Sequence, residues 1–180
     1  MMTDIQKQMS MGKHLAIYLG ISLLIVVLDL WTKYLATANL EYASPVPVYQ
    51  LFDALTGFNL TLLHNTGAAF SFLASESGWQ RWFFIALAFF VSLGLGVWLT
   101  KLRDDTWVAI AVALILGGAI GNLYDRITLG YVVDFLHFYW GDYNFPAFNI
   151  ADTAISIGAG LMILDIFRPK KEQNAEKATL

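Results

Sequence analysis

The chain has 180 residues, of which 57% are hydrophobic and only 14% are charged, and its formal net charge at pH 7 is −3. A soluble domain has about 45–50% apolar and about 25% charged residues, so this composition indicates an integral membrane protein. The chain has no cysteine, which excludes disulfides, thiolate catalysis and cysteine-ligated metal sites. It has three scattered histidines, too few for a histidine-based zinc site, and we expect no metal and no other cofactor.

Four apolar stretches are long enough to cross a bilayer, which takes about 20 residues of helix. We predict transmembrane helices at about residues 14–36, 79–100, 107–126 and 147–167. Trp79 and Trp98, near the two ends of the second span, fit the interfacial belt of aromatic residues. Gly117 and Gly121 in the third span have the GxxxG spacing that lets another helix approach closely.

The outer end of the first span carries two charged residues. Asp29 and Lys33 are four residues apart with the acid first, which is the favourable order for an ion pair along a helix. This pair is either structural or a support for a functional site at that membrane face. Residues 36–38 resemble a signal-peptide cleavage site, but the charges of Asp29 and Lys33 just before it argue against cleavage.

Residues 39–78 are broken by prolines and glycines and are predicted to lie outside the membrane. Phe58, Leu60 and Leu62 alternate with other residues, a period of two that predicts a strand in a small sheet. Asn65 begins an Asn-x-Gly phrase, which is typical of a turn and could present the Asn65 side chain to a bound peptide.

Residues 127–146 are rich in aromatic side chains. We predict an interfacial loop on the membrane surface, which could act as a mobile cover over a site. Residues 168–180 form a polar tail. The fold class is therefore an α-helical polytopic membrane protein, with four spans, a small extramembrane β-sheet and an interfacial loop on the outer face.

Four spans place both termini on one side of the membrane. Eight basic residues fall on that side and three on the other, so the positive-inside rule predicts that both termini are cytoplasmic. The eight are Lys7, Lys13, Lys101, Arg103, Arg168, Lys170, Lys171 and Lys177, and the three are Lys33, Arg81 and Arg126. Both irregular segments then face the outer side.

Three aspartates lie in or beside the outer segments, and their neighbours differ. Asp125 is followed by Arg126, which predicts an ion pair and a supporting role. Asp134 and Asp152 have apolar neighbours, and burial raises the pKa of a carboxyl group. Two such groups brought together share one proton, an arrangement that can activate water against an amide.

The spacing leaves open which two aspartates pair, because only the fold brings distant residues together. Each aspartate could also be an ordinary capping or interfacial residue. The phrase Asn-x-x-Asp occurs twice, at Asn122–Asp125 and at Asn149–Asp152, and this repetition favours a functional site.

Four segments together resemble bacterial lipoprotein signal peptidase, also called signal peptidase II. They are HNTGAAFSF (64–72), GNLYDR (121–126), VVDF (132–135) and FNIADTAI (148–155), in that order along the chain. The resemblance implies a membrane aspartyl protease that removes signal peptides from prolipoproteins, with Asp134 and Asp152 as the catalytic pair. It also implies that Asn65, Asn122, Asp125, Arg126, Asn149, Asp29 and Lys33 support the pair or bind the substrate.

The resemblance further implies that the cut lies just before a diacylglyceryl-modified cysteine and that the cyclic peptide globomycin blocks the enzyme. The implied partners are diacylglyceryl-modified prolipoproteins and membrane lipid, without nucleic acid. We expect a monomer in the bacterial cytoplasmic (inner) membrane, with the active site at the outer, periplasmic face.

The alternative function is a small transporter or a proton-relay subunit, which would also carry acids within the membrane. Such sites lie near the bilayer midplane on broken helices, whereas these aspartates cluster at one face. A purely structural membrane subunit would leave the repeated Asn-x-x-Asp phrase unexplained. An assay of lipopeptide cleavage that resists chelators and thiol reagents would separate these functions.

Overall fold

The computed structural model describes residues 4–51, 56–67, 79–102 and 105–168, with the backbone alone described at 4–11 and 51. The helices are α1 (Asp4–Asn39), α2 (Trp79–Lys101), α3 (Thr106–Thr128) and α4 (Ile150–Ile166), and the strands are β1 (Val46–Leu51), β2 (Thr56–Asn65), β3 (Val132–Trp140) and β4 (Tyr143–Asn144). The predicted tail beyond residue 168 and the end of the segment HNTGAAFSF lie outside the described residues.

Three of the described helices are long and apolar enough to cross a membrane: Gly12–Asn39 within α1, α2 and α3. They match the first three predicted spans. Helix α4 has 17 residues, or about 25 Å at 1.5 Å per residue, against a hydrocarbon core of about 30 Å. It begins at Ile150, later than predicted, because Asn149 caps its first turn.

Helix α3 is the central helix and packs against α1, α2 and α4. Glycines allow the close approach. Gly117 and Gly121 face α1, where a Cβ atom on Gly121 would collide with the carboxylate of Asp29. Gly118 faces α4 and lies against the backbone of Ala151. The predicted role of the GxxxG spacing in helix packing is therefore confirmed, and it also brings Asp29 next to α3.

The strands form one antiparallel sheet in the order β1-β2-β3-β4. The predicted strand around residues 58–62 is confirmed as part of β2. The prediction of an interfacial loop at 127–146 is wrong, because most of this segment is β3 and β4. Its β-branched and aromatic residues suit a strand, and the edge of β2 supplies hydrogen-bond partners for its backbone.

The segment before α4 is fastened to β3. The backbone N–H groups of Phe135 and Leu136 donate to the carbonyl of Phe148 at 3.0 and 2.9 Å, and the N–H of Phe148 donates to the carbonyl of Leu136 at 3.0 Å. These bonds place the first turn of α4 beside the start of β3. Asp134 on the strand and Asp152 on the helix are therefore neighbours, although the chain makes a hairpin between them.

Candidate active site

The first turn of α4 fixes Asp152. Asn149 is the N-cap residue, and its side-chain oxygen accepts a hydrogen bond from the backbone N–H of Asp152 at 2.9 Å. The backbone N–H of Asn149 donates in return to Oδ2 of Asp152 at 3.3 Å, which completes a capping box. The side chain of Asn122 on α3 donates to Oδ1 of Asp152 at 2.7 Å. Both carboxylate oxygens thus accept a hydrogen bond.

Asp134 is the third residue of β3 and is only 3% exposed. Its Oδ1 accepts from Nδ2 of Asn149 at 2.8 Å, and its Oδ2 accepts from Nδ2 of Asn65 at 3.0 Å. Asn149 therefore contacts both aspartates, Asp134 through its amide and Asp152 through the helix cap. The Asn-x-Gly phrase was predicted to form a turn that could present Asn65 to a peptide, and in the structure the Asn65 side chain donates to Asp134.

Burial raises the pKa of Asp134 to about 6, and the negative charge of Asp152 acts in the same direction. The hydrogen bonds from Asn65 and Asn149 act against this rise because they favour the ionised form. The raised pKa predicted from the apolar neighbours of Asp134 is confirmed. The two carboxylates are close enough for one to feel the charge of the other.

Lys33 is buried at the centre of the supporting residues. Its Nζ lies 2.7 Å from Oδ2 of Asp29 and 2.9 Å from Oδ2 of Asp125. The predicted pair of Asp29 and Lys33 is confirmed. The predicted pair of Asp125 and Arg126 is wrong, because Asp125 pairs with Lys33 instead. Adjacent residues on a helix point in different directions, so Arg126 does not face the side on which Asp125 meets α1.

Lys33 is also connected to the aspartate pair. Its Nζ donates to Oδ1 of Asn122 at 3.0 Å, which orients the amide so that Nδ2 points at Asp152. Asp29 accepts from the backbone N–H of Ala151 at 2.9 Å and so ties α1 to the start of α4. Buried charges of this kind need their partners, since removing one costs about 3–5 kcal/mol.

Asp125 and Arg126 complete the cluster. Oδ2 of Asp125 accepts from the backbone N–H of Val133 at 3.1 Å, which ties α3 to β3 one residue before Asp134. Arg126 lies at the edge, with its guanidinium over the ring of Phe84. Every predicted site residue thus belongs to one cluster, in which Asp134 and Asp152 are the aspartates without a direct cationic partner among the described residues.

Two residues beside the site, Arg81 and Phe84 of α2, were not predicted. Arg81 donates to the backbone carbonyls of Arg126 and Ile127 at 3.1 and 2.8 Å. Arg81 and Phe84 are three residues apart and share a face of the helix, which is a pattern the sequence does contain. The pattern gives no sign of what that face meets. Within the described residues, no group of three or more His, Cys, Asp or Glu side chains could hold a metal ion.

Residues 21–168 match the model of the family described as Signal peptidase (SPase) II. The chain belongs to this family. A lipoprotein signal peptidase of Acinetobacter baumannii is 53% identical over 161 residues, which cover 89% of this chain and 88% of the relative. A lipoprotein signal peptidase of Pseudomonas putida is 50% identical over 160 residues, which cover 87% of this chain and 90% of the relative.

The family's fold is also found among solved structures. The chain is similar to a bacterial membrane enzyme solved by the in meso method at 1.9 Å resolution, with a TM-score of 0.71 and 29% identity. The match covers 86% of this chain and 95% of that one. The predicted family resemblance is therefore confirmed, and the protein is a membrane protease. The alternative of a transporter or a proton-relay subunit is not favoured.

Proposed function

We propose that the protein is an aspartyl endopeptidase that removes signal peptides from prolipoproteins, cutting on the N-terminal side of the diacylglyceryl-modified cysteine. The observation that carries this proposal is the contact of one side chain, Asn149, with both Asp134 and Asp152. Family membership supports the substrate class, since the relatives are lipoprotein signal peptidases.

In the proposed mechanism Asp152 is ionised and Asp134 is protonated. Asp152 accepts a proton from water as the water oxygen bonds to the scissile carbonyl carbon, and Asp134 donates its proton to the carbonyl oxygen. The resulting gem-diol collapses as the carbon–nitrogen bond breaks. The leaving amine takes the proton from Asp152, and a gem-diol hydroxyl returns one to Asp134, so the pair again holds one proton.

The assignment of roles follows from burial and charge at Asp134. Both carboxylates accept hydrogen bonds from neutral donors on both oxygens, so these bonds alone do not separate the two roles. The raised pKa of Asp134 fits the partner that carries the proton. When substrate covers the site and excludes water, the lower dielectric strengthens the electrostatic interactions of Asp134 and Asp152 with the reacting groups.

The proposed location is the bacterial inner membrane, with both termini cytoplasmic and the site at the periplasmic face. The distribution of basic residues supports this orientation. Helix α4 would be the fourth span, and its apolar sequence and packing on α3 support that assignment. The enzyme would act as a monomer on substrates held in the bilayer by their signal helix and acyl chains.

Replacing each carboxylate by an amide tests the pair. Asp134→Asn and Asp152→Asn should each lower kcat for a diacylglyceryl lipopeptide on the order of 10²- to 10⁴-fold, since each removes one proton-transfer group. Asp142→Asn is the matched control, because Asp142 is exposed in the β3–β4 turn. Circular dichroism and thermal unfolding in detergent should show that all three variants are folded.

Near wild-type cleavage by either pair variant would refute the assignment. Retained activity in Asp134→Asn together with loss in Asp125→Asn would instead assign the reaction to Asp125 and Asp152.

A further inference from the structure

The guanidinium of Arg126 has an unusual environment for a cation. The carboxylates of Asp152 and Asp134 are near enough to interact with its charge, yet no ion pair forms between Arg126 and any described residue. Its hydrogen bond is a long one, 3.4 Å from an Nη atom to the carbonyl of Asn122 on its own helix. The guanidinium carbon lies 5.3 Å from the centre of the Phe84 ring, within cation–π range.

The ring of Phe84 also contacts the turn that carries Asn65. Gly67 has a φ of 85°, and a Cβ atom at this residue would collide with the Phe84 ring. The backbone N–H of Gly67 donates to Oδ1 of Asn65 at 2.9 Å. This bond orients the amide so that Nδ2 points at Asp134. The ring of Phe84 is therefore next to both the Arg126 guanidinium and the turn that carries Asn65, which hydrogen-bonds Asp134.

The other charged or titratable groups near the pair are held by partners of their own. They are Asp29 and Lys33 from α1, Arg81 from α2, Asp125 from α3 and, on β2 beside Asn65, His64. Lys33 is fixed between two carboxylates, Arg81 donates to two backbone carbonyls, and His64 stacks on Tyr131. Among the described Lys and Arg residues near the pair, Arg126 is thus the one without an ion pair or a short hydrogen bond.

We propose that Phe84 is a positioning residue that holds the Arg126 guanidinium away from Asp134 and Asp152 and so preserves the proton shared by the pair. The physical reason is that a guanidinium in direct contact lowers the pKa of a carboxyl group by about 1–3 units. Such a contact would remove the proton that Asp134 needs as the acid. The inference rests on the proposed aspartyl mechanism.

The test is the pH dependence of kcat/KM for a diacylglyceryl lipopeptide. Phe84→Leu removes the aromatic face, and the alkaline limb of the profile should move to lower pH by about one unit or more. Phe90→Leu is the matched control, since Phe90 is on the same helix and is 67% exposed. Its profile should coincide with that of the wild type.

A second substitution separates electrostatics from packing. Incorporation of 3,4,5-trifluorophenylalanine at position 84 nearly keeps the shape of the ring but weakens the negative charge of its face. The limb should shift in the same direction as in Phe84→Leu. In an Arg126→Gln background, Phe84→Leu should cause no further shift. Because its shape is nearly unchanged, the fluorinated side chain decides the question even where Phe84→Leu lowers stability.

An unchanged profile in both Phe84 variants, or an equal shift in Phe90→Leu, would overturn the role of Phe84. This failure is distinguishable from failure of the proposed function. The proposed function fails when Asp134→Asn or Asp152→Asn remains active, whereas an unchanged profile with inactive aspartate variants refutes the positioning role alone.

Discussion

The protonation of Asp134 depends on opposing local contacts. Burial and the charge of Asp152 favour the neutral carboxyl group, whereas hydrogen bonds from Asn65 and Asn149 favour the ionised one. Burial outweighs the hydrogen bonds, and the pKa is raised to about 6. The proton is therefore present below about pH 6 and is lost as the pH rises through this value.

The loss of this proton with rising pH determines the expected pH dependence of the reaction. We expect kcat/KM, which reports the free enzyme, to fall with an apparent pKa near 6 as the pH rises, because Asp134 loses the proton that it donates in the proposed mechanism. The fall of kcat with rising pH should occur at higher pH than the fall of kcat/KM, since a bound lipopeptide removes water from Asp134 and disfavours its charge further. Steady-state kinetics between about pH 4 and 9 measures both, and a kcat/KM that rises through pH 6 would contradict the assignment.

The sequence predicts the state of a single residue correctly where its neighbours along the chain determine how buried its side chain is. The apolar residues around Asp134 were sufficient to predict a raised pKa. The partner of Asp125 was not predictable in this way, because Lys33 comes from a different helix and is distant along the chain. Arg126 was predicted as the partner of Asp125 because it is the next residue, but adjacent side chains on a helix point in different directions.

The close packing of α3 and α4 connects the helices to the site. A Cβ atom on Gly118 would meet the backbone oxygen of Ala151 and would lie 2.7 Å from Cγ1 of Ile155. Ala151 also donates its N–H to Asp29. A displacement of α4 at this contact therefore moves the turn that holds Asp152.

We expect Gly118→Ala to destabilise the protein by about 1–3 kcal/mol through overpacking, and to lower kcat as α4 shifts. Gly20→Ala is the control, because a Cβ atom added to Gly20 in α1 would have no atom within 4 Å. The free energy of unfolding of this control should rise by up to about 1 kcal/mol, because alanine has a higher helix propensity than glycine. Thermal unfolding and lipopeptide cleavage in the same detergent measure both effects. Equal stability of the two variants would show that α3 and α4 can separate without cost.

The elements themselves were predictable to different degrees. The spans of α1, α2 and α3 follow from long apolar runs, which depend on local composition alone. The β3–β4 hairpin was mistaken for a loop because its aromatic residues also suit a membrane interface. Its strand character depends on pairing with β2, where Asp134 lies opposite Leu63, and such a register is set by contacts distant along the chain.

The whole molecule has a proposed orientation in which the sheet and the aspartate pair face the periplasm. Since the chain has no cysteine, one introduced cysteine reports the side of the membrane on which it lies. Tyr143 is 68% exposed in the hairpin of the sheet, and Lys101 is exposed at the far end of α2.

We expect Tyr143→Cys to react with a membrane-impermeant maleimide added to intact cells with a permeable outer membrane. Lys101→Cys should react only after the inner membrane is opened, because it lies on the side of the termini. A mobility shift of the labelled protein on a denaturing gel measures both reactions. Labelling of Lys101→Cys from outside would overturn the orientation.

The double role of Asn149 also concerns when the enzyme becomes active. The residue that caps α4 is the one that contacts both aspartates, so the aspartate pair and α4 form together. A ribosome makes the chain from the N-terminus, and Asp152 follows every other site residue. In the proposed mechanism, a partly synthesised chain that lacks Asp152 therefore has only one of the two carboxylates, and hydrolysis begins once α4 is in place.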